Sequence, residues 1–220
     1  MIRNLKFLGL ALVAALAMSS VVAGMASADV FTLEATPTTI TGAQEGTSVL
    51  VVHSGEAKCT TVKETGSFTV SPSSELSVSP TYSGCTFAGL AATTNMNGCT
   101  YRYTINSAAG NTTGTTDIIC PAGKEITITA PSVGTPKCII HIPAQNGLSS
   151  ISFVNLGSTT TREITVNINI TNMKYSQTAG TSETGNCATA DNTTDGIYVG
   201  KRLLTGENAA GTAHIGIFVS

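Results

Sequence analysis

Residues 163–172 read EITVNINITN, with Ile164, Val166, Ile168 and Ile170 alternating against Thr165, Asn167, Asn169 and Thr171. A two-residue repeat lines all four aliphatic side chains along one side of a strand and would scatter them around a helix. Segments of the same kind recur at 30–35, 48–53, 67–70, 75–82, 99–106, 115–120, 125–130, 137–142, 149–156, 163–173, 196–204 and 212–219. Past the N-terminal leader, no stretch long enough for a helix carries a helical apolar stripe. Thr occurs 36 times, Ser 21 and Gly 22, while long unbranched helix formers are scarce. Thr, Val, Ile and Tyr suit a pleated, half-buried surface. Turn dipeptides punctuate the runs at Ser54-Gly55, Asn97-Gly98, Asn146-Gly147 and Asp195-Gly196. The expectation is an all-β protein, an antiparallel β-sandwich built as one large or two small sandwich-like units.

The outward row of EITVNINITN is uncharged. Edge strands usually carry Lys, Pro or a bulge against stacking, and none stands between Ile164 and Asn172. The strand is therefore either interior, which is the expectation, or an edge open to another chain. Val49, Leu50, Val51 and Val52 run without polar interruption, which predicts a central strand covered on both faces. In NGCTYRYTIN, residues 97–106, Cys99, Tyr101, Tyr103 and Ile105 share one face and are expected to point inward beside a disulfide.

The first residues combine Arg3 and Lys6, an apolar run from Phe7 to Met18, and Ala26-Ser27-Ala28 before Asp29. This is the layout of a secretory signal peptide, expected to end at residue 28. The apolar run is shorter than the roughly 20 residues that cross a bilayer, and no membrane span is expected in the mature chain. Removing 28 of 220 residues leaves 192, enough for a substantial core. Nine basic residues then face thirteen acidic ones, a formal charge of −4. That balance offers no basic patch, so no nucleic-acid partner is expected.

Cys59, Cys85, Cys99, Cys120, Cys138 and Cys187 all lie in the mature part. An even count in an exported chain reads as a disulfide framework. Zinc is the competing use, but no C-x-x-C pair is present. Six cysteines allow 15 pairings. Hairpin topology favours neighbours: Cys59 with Cys85, Cys99 with Cys120, and Cys138 with Cys187. Pro121-Ala122-Gly123 marks a candidate boundary between an N-terminal unit, 29–121, and a C-terminal unit, 122–220, with one continuous sandwich as the alternative. The polar stretch 178–194 reads as a long loop tied down by Cys187.

The phrases PTYSGC ending at Cys85, NMNGCTY at 95–101, DIICPAGK at 117–124 and CIIHIPAQ at 138–145 resemble an uncharacterised family of exported, cysteine-paired β proteins from high-GC Gram-positive bacteria. The likeness spans most of the mature chain and implies no activity, cofactor or catalytic residue. The layout of leader, Thr-rich strands and no anchor is also similar to small bacterial surface-fibre proteins.

Catalytic signatures are missing: there is no H-E-x-x-H helix, G-x-S-x-G elbow, phosphate-binding Gly loop or EF-hand spacing. His53, His141 and His214 sit in or beside alternating strands, and for catalysis one would have to meet an acid or a nucleophile. Asp117, Asp191 and Asp195 offer too few carboxylates for calcium, which takes six to eight oxygens. With no Trp, and with Tyr101 and Tyr103 turned inward, Tyr82, Tyr175 and Tyr198 are the rings left for a sugar platform. No catalytic residue, cofactor or metal is assigned. The expected function is that of a secreted, non-catalytic structural or interaction protein of the cell envelope or extracellular space. Its expected partners are protein or glycan surfaces, or further copies of itself. A glycan- or small-ligand-binding module and an extracellular hydrolase are the alternatives.

Overall fold

The computed structural model describes residues 29–35, 38–68, 70–106, 112–130, 138–158, 161–178 and 190–220, with the backbone alone at Asp191. The described residues form strands and no α-helix: β1 (Phe31–Leu33), β2 (Thr38–Gln44), β3 (Ser48–Val52), β4 (Gly55–Phe68), β5 (Glu75–Phe87), β6 (Leu90–Asn95), β7 (Thr100–Ile105), β8 (Thr113–Ile119), β9 (Ile126–Ala130), β10 (Cys138–Ile142), β11 (Gln145–Leu156), β12 (Glu163–Thr178), β13 (Ala190–Asn208), β14 (His214–Ile215) and β15 (Ile217–Val219). The chain is all-β and its pairings are antiparallel.

Four long strands, β4, β5, β12 and β13, organise the rest. Hydrogen-bonded neighbours run β5, β7, β8, β11, β12, β13, β2, β4 and return to β5, closing one circuit. They also run β5, β6, β9, β10, β12, β13, β3, β4 and return, closing a second. The first circuit uses β4 from Lys63 to Phe68 against β2, and the second uses Gly55 to Cys59 against β3. The circuits are thus stacked along the strands they share. Along β12 the neighbour changes from β11, paired through Ile168, to β10, paired through Ser176. Between those points the β12–β13 register shifts and Asn172 takes a positive φ of 62°. A bulge of this kind bends a strand so that it can serve two sheets.

Closure consumes the backbone edges. EITVNINITN is the first ten residues of β12 and is interior, with β11 on one side through Ile168 and β13 on the other. Its Ile164, Val166, Ile168 and Ile170 are buried, while Asn169 and Thr171 are exposed. The small β1–β15 sheet covers one end, where Phe31 meets Phe153 edge to face with centroids 5.2 Å apart. Its free sides are capped as well. Phe31 exchanges backbone hydrogen bonds with Ser73, and the Asn155 side chain bonds both the N–H and the carbonyl of Val219.

Strands from before and after Pro121-Ala122-Gly123 are hydrogen-bonded neighbours: β6 with β9, β8 with β11, and β2 and β3 with β13. Two disulfides lie wholly among the described residues. Cys59–Cys85 joins directly opposed residues of β4 and β5, and Cys99–Cys120 clamps the end of the β7–β8 pair. They fit an oxidising environment. In place of three complete bridges, two are described; Cys138 is not free, and Cys187 lies outside the described residues. The expected leader, 1–28, also lies outside them. Among the described residues no helix is long and apolar enough to cross a membrane.

Two expectations need correction. Val49 and Val51 are only half-buried, so β3 is covered on the side of Leu50 and Val52 and open on the other. Thr178 and residues 190–194 are strand, not loop, because β12 runs to Thr178 and β13 continues to pair with it as far as Ala190. The remainder of that stretch, 179–189, lies outside the described residues.

Candidate functional site

Alternation sends Tyr198, Gly200, Arg202 and Leu204 of β13 to the interior. Arg202 is completely enclosed, and Glu64 of β4 meets it there with 1% exposure. Arg202 Nε donates to Glu64 Oε1 at 3.1 Å, Nη1 to Ser48 Oγ at 2.8 Å and to the Lys201 carbonyl at 3.0 Å, and Nη2 to the Tyr198 hydroxyl. The Tyr103 hydroxyl donates to both Glu64 oxygens, at 3.0 and 3.2 Å. Tyr82 then bonds Tyr101 at 2.8 Å and Tyr198 at 3.2 Å through their hydroxyls. Close approach makes room for the pair: a Cβ on Gly42 would lie 2.8 Å from Glu64 Cβ and 2.9 Å from Leu204 Cδ2.

Burial lifts the Glu64 carboxyl above its ordinary range, against the opposing pull of Arg202 and the Tyr103 hydrogen bond. Burial would lower Arg202, but Tyr198, Tyr82, Glu64 and Tyr103 outweigh it and hold the guanidinium above its usual value. Tyr82, Tyr101 and Tyr103 are all raised, chiefly by burial. The network is therefore a cation, an acid and a set of neutral phenols with most hydrogen bonds made internally. Such a pair costs solvation to bury and is badly destabilised when one partner is removed.

Beside this network lies a cavity of about 50 Å³. Its lining takes in Tyr82, Tyr101, Tyr103, Tyr198 and Thr116 together with Ile126, Ile128, Ile168 and Ile170. Thr116 is 3% exposed, and its Oγ1 makes no hydrogen bond to the protein.

The histidines do not converge on one another. His53 is exposed in the β3–β4 turn, where its backbone N–H donates to the Tyr175 hydroxyl at 2.6 Å. His214 lies 3.6 Å from Glu163 in the first circuit. His141, on β10 in the second circuit, has Nδ1 2.5 Å from Glu125 Oε1 and Nε2 3.2 Å from Thr178 Oγ1. This is an acid–imidazole–hydroxyl row on the outside of the sheet. A cleft of about 440 Å³ beside it is lined by Glu125, Lys174 and Tyr175, and neither His141 nor Thr178 reaches it. The Thr178 hydroxyl is also 3.5 Å from the Ile139 carbonyl.

Asp117 is held by Arg102, with Nη2 to Oδ2 at 2.5 Å, and accepts the Gly147 N–H at 2.6 Å. Its carboxylate is thereby committed, and no group of three or more metal-ligating side chains occurs among the described residues. The three rings left for a sugar platform are not free to serve as one. Tyr175 is 1% exposed, Tyr198 is buried, and Tyr82 is half-buried with its hydroxyl bonded to two other tyrosines. Tyr101 and Tyr103 face inward as their alternation predicts. The sequence reading missed Glu64 and Arg202, although each holds the inward parity of its strand, Glu64 with Val62 and Phe68, Arg202 with Tyr198 and Leu204.

The outer face of the same region is aliphatic. Val199 pairs with Val49 and Ile197 with Val51, and Ile197 and Val199 are 37% and 44% exposed. Asn169 of β12 flanks Val199 on one side, and the Lys58–Glu56 ion pair of β4 flanks Val49 and Val51 on the other. No protein family, curated protein or solved structure matches the chain.

Proposed function

We propose that the chain is a secreted structural or interaction protein of the cell envelope or extracellular space, its two circuits acting as flattened, sandwich-like units. The observation that supports this is the aliphatic row Val49, Val51, Ile197 and Val199 on a sheet whose neighbouring backbone groups are already paired. With no open edge there, a partner is met through side chains, and these side chains are apolar or uncharged. The disulfides and the enclosed ion pair support a rigid scaffold for that face. The test is rebinding of the purified mature chain to washed envelopes of the source cells. Retention is expected, with Ile197→Ser plus Val199→Ser lowering it by roughly tenfold, about 1.4 kcal/mol. Equal retention of variant and wild type would remove this face from the function.

A second reading, an extracellular hydrolase, draws support from the Glu125–His141–Thr178 row. His141 would take the Thr178 proton while Glu125 orients the imidazole. Hydrolysis of neutral nitrophenyl esters, abolished in His141→Ala, would select this reading. A rate equal to buffer in both proteins would discard it.

A further inference from the structure

The tyrosines of the enclosed network contain one more proton than they can use among themselves. Tyr82, Tyr101 and Tyr198 bring one hydroxyl proton each, and the only bonds among them, Tyr82 to Tyr101 and Tyr82 to Tyr198, consume two. Arg202 cannot absorb the third, because a guanidinium only donates, and its Nη2 already donates to Tyr198. The cation therefore polarises the row so that Tyr198 donates to Tyr82 and Tyr82 to Tyr101, which leaves the Tyr101 proton directed away from the network. Reversing the row moves the surplus to another of the three tyrosines and does not remove it. All three line the cavity that Thr116 also lines, and Thr116 Oγ1 has no protein partner. A buried hydroxyl left without a partner costs about 1–3 kcal/mol.

We propose that this cavity is a binding site for a small neutral hydroxylic guest, whose oxygen accepts the surplus phenol proton and hydrogen-bonds Thr116. Water and a short-chain alcohol share that chemistry. The size fits: about 50 Å³ exceeds the roughly 10–15 Å³ that one water needs on a probe-based measure. The isoleucines that also line the cavity give a methyl or ethyl group an apolar place to rest. A charged guest is disfavoured, because Arg202 and Glu64 already neutralise each other and the remaining walls offer no counter-charge. This inference concerns the interior and does not rest on the outer interaction face.

The test is the sign of a stability change, joined to a direct view of the site. Thr116→Val keeps the side-chain shape and removes the hydroxyl. If a guest bridges Thr116 to the tyrosines, the variant melts several degrees below wild type, and Tyr101→Phe does the same. Tyr101→Phe also loses its bond to Tyr82, so the shared bridge shows as a Thr116→Val change that costs little more once Tyr101→Phe is present. If the hydroxyl is orphaned, Thr116→Val melts above wild type, and the proposal is overturned. Crystals of the mature chain in aqueous buffer and after a methanol soak separate the sources. An oxygen peak within about 3 Å of Thr116 Oγ1 in both assigns water; an added methyl toward Ile126 and Ile168 after the soak assigns an alcohol as well. A site without density in either crystal would overturn the proposal independently of the melting data.

Discussion

β12 and β13 are hydrogen-bonded neighbours of similar length, yet they distribute polarity in opposite ways. β12 buries Ile164, Val166, Ile168 and Ile170 and shows Asn169 and Thr171 to solvent. β13 buries Tyr198 and Arg202 and exposes Ile197, Val199 and Lys201. The aliphatic face of the first strand follows from the hydrophobic effect, although β12 also buries Thr165 and Gln177. The second is inverted, and only a prepared interior, with Glu64, Ser48 and the tyrosines converging on Arg202, makes that tolerable. An inverted strand thus ties the core to one arrangement of partners and frees an aliphatic row for the outside.

The largest predicted effect breaks this contrast at its centre. Arg202→Met leaves Glu64 buried without its cation and is expected to lose about 3–5 kcal/mol in chemical denaturation. The loss should depend on pH. Burial holds the folded carboxyl above its unfolded value, so the fold binds that proton more tightly than the unfolded chain does. That contribution is complete below the unfolded value and is lost as pH rises through the folded one. Arg202→Met should therefore recover part of its deficit near pH 4 relative to pH 7; a pH-independent deficit would contradict the assignment.

The next effect appears in alkali. Tyr82, Tyr101 and Tyr103 are raised by burial, so their contribution is intact below pH 10 and is lost above it. Ultraviolet titration at pH 10 should show these three still protonated in the folded chain and released together on unfolding. On β12, the ordinary strand, Ile164→Val should cost only about 0.5–1.5 kcal/mol, the usual price of one buried methylene. Smallest of all, Ile197→Ser on the outer face of β13 should shift stability by no more than about 0.5 kcal/mol, so any loss of envelope binding would reflect recognition, not folding.

The same contrast explains what could be read from the chain. β12 was legible because its inward residues are all aliphatic, and β7 because Tyr101, Tyr103 and Ile105 alternate cleanly. The two described disulfides follow from hairpin neighbours. β4 was largely missed: the inward positions of GEAKCTTVKETG are held by Ala57, Cys59, Val62 and Glu64, too small or too polar to produce a hydrophobic period. β2 and β6 were missed for related reasons, one containing Gly42 against Glu64 and the other mostly Ala and Thr with little buried surface. Arg202 was unreadable as a core residue because hydrophobic patterning assigns arginine to solvent. The partners that permit its burial come from β3, β4, β7 and β13 and meet only through long-range pairing. The row Glu125, His141 and Thr178 is likewise assembled across strands from positions that share no local motif.

A double-mutant cycle on Glu64 and Arg202 tests the enclosed pair most directly, using Glu64→Gln, Arg202→Met and the two combined in chemical denaturation at pH 7. Each single change is expected to destabilise strongly and the combined variant by well under their sum, a coupling of at least about 2 kcal/mol. Losses that add to within about 0.5 kcal/mol would mean that the two charges do not stabilise one another, and the inverted strand would need another explanation.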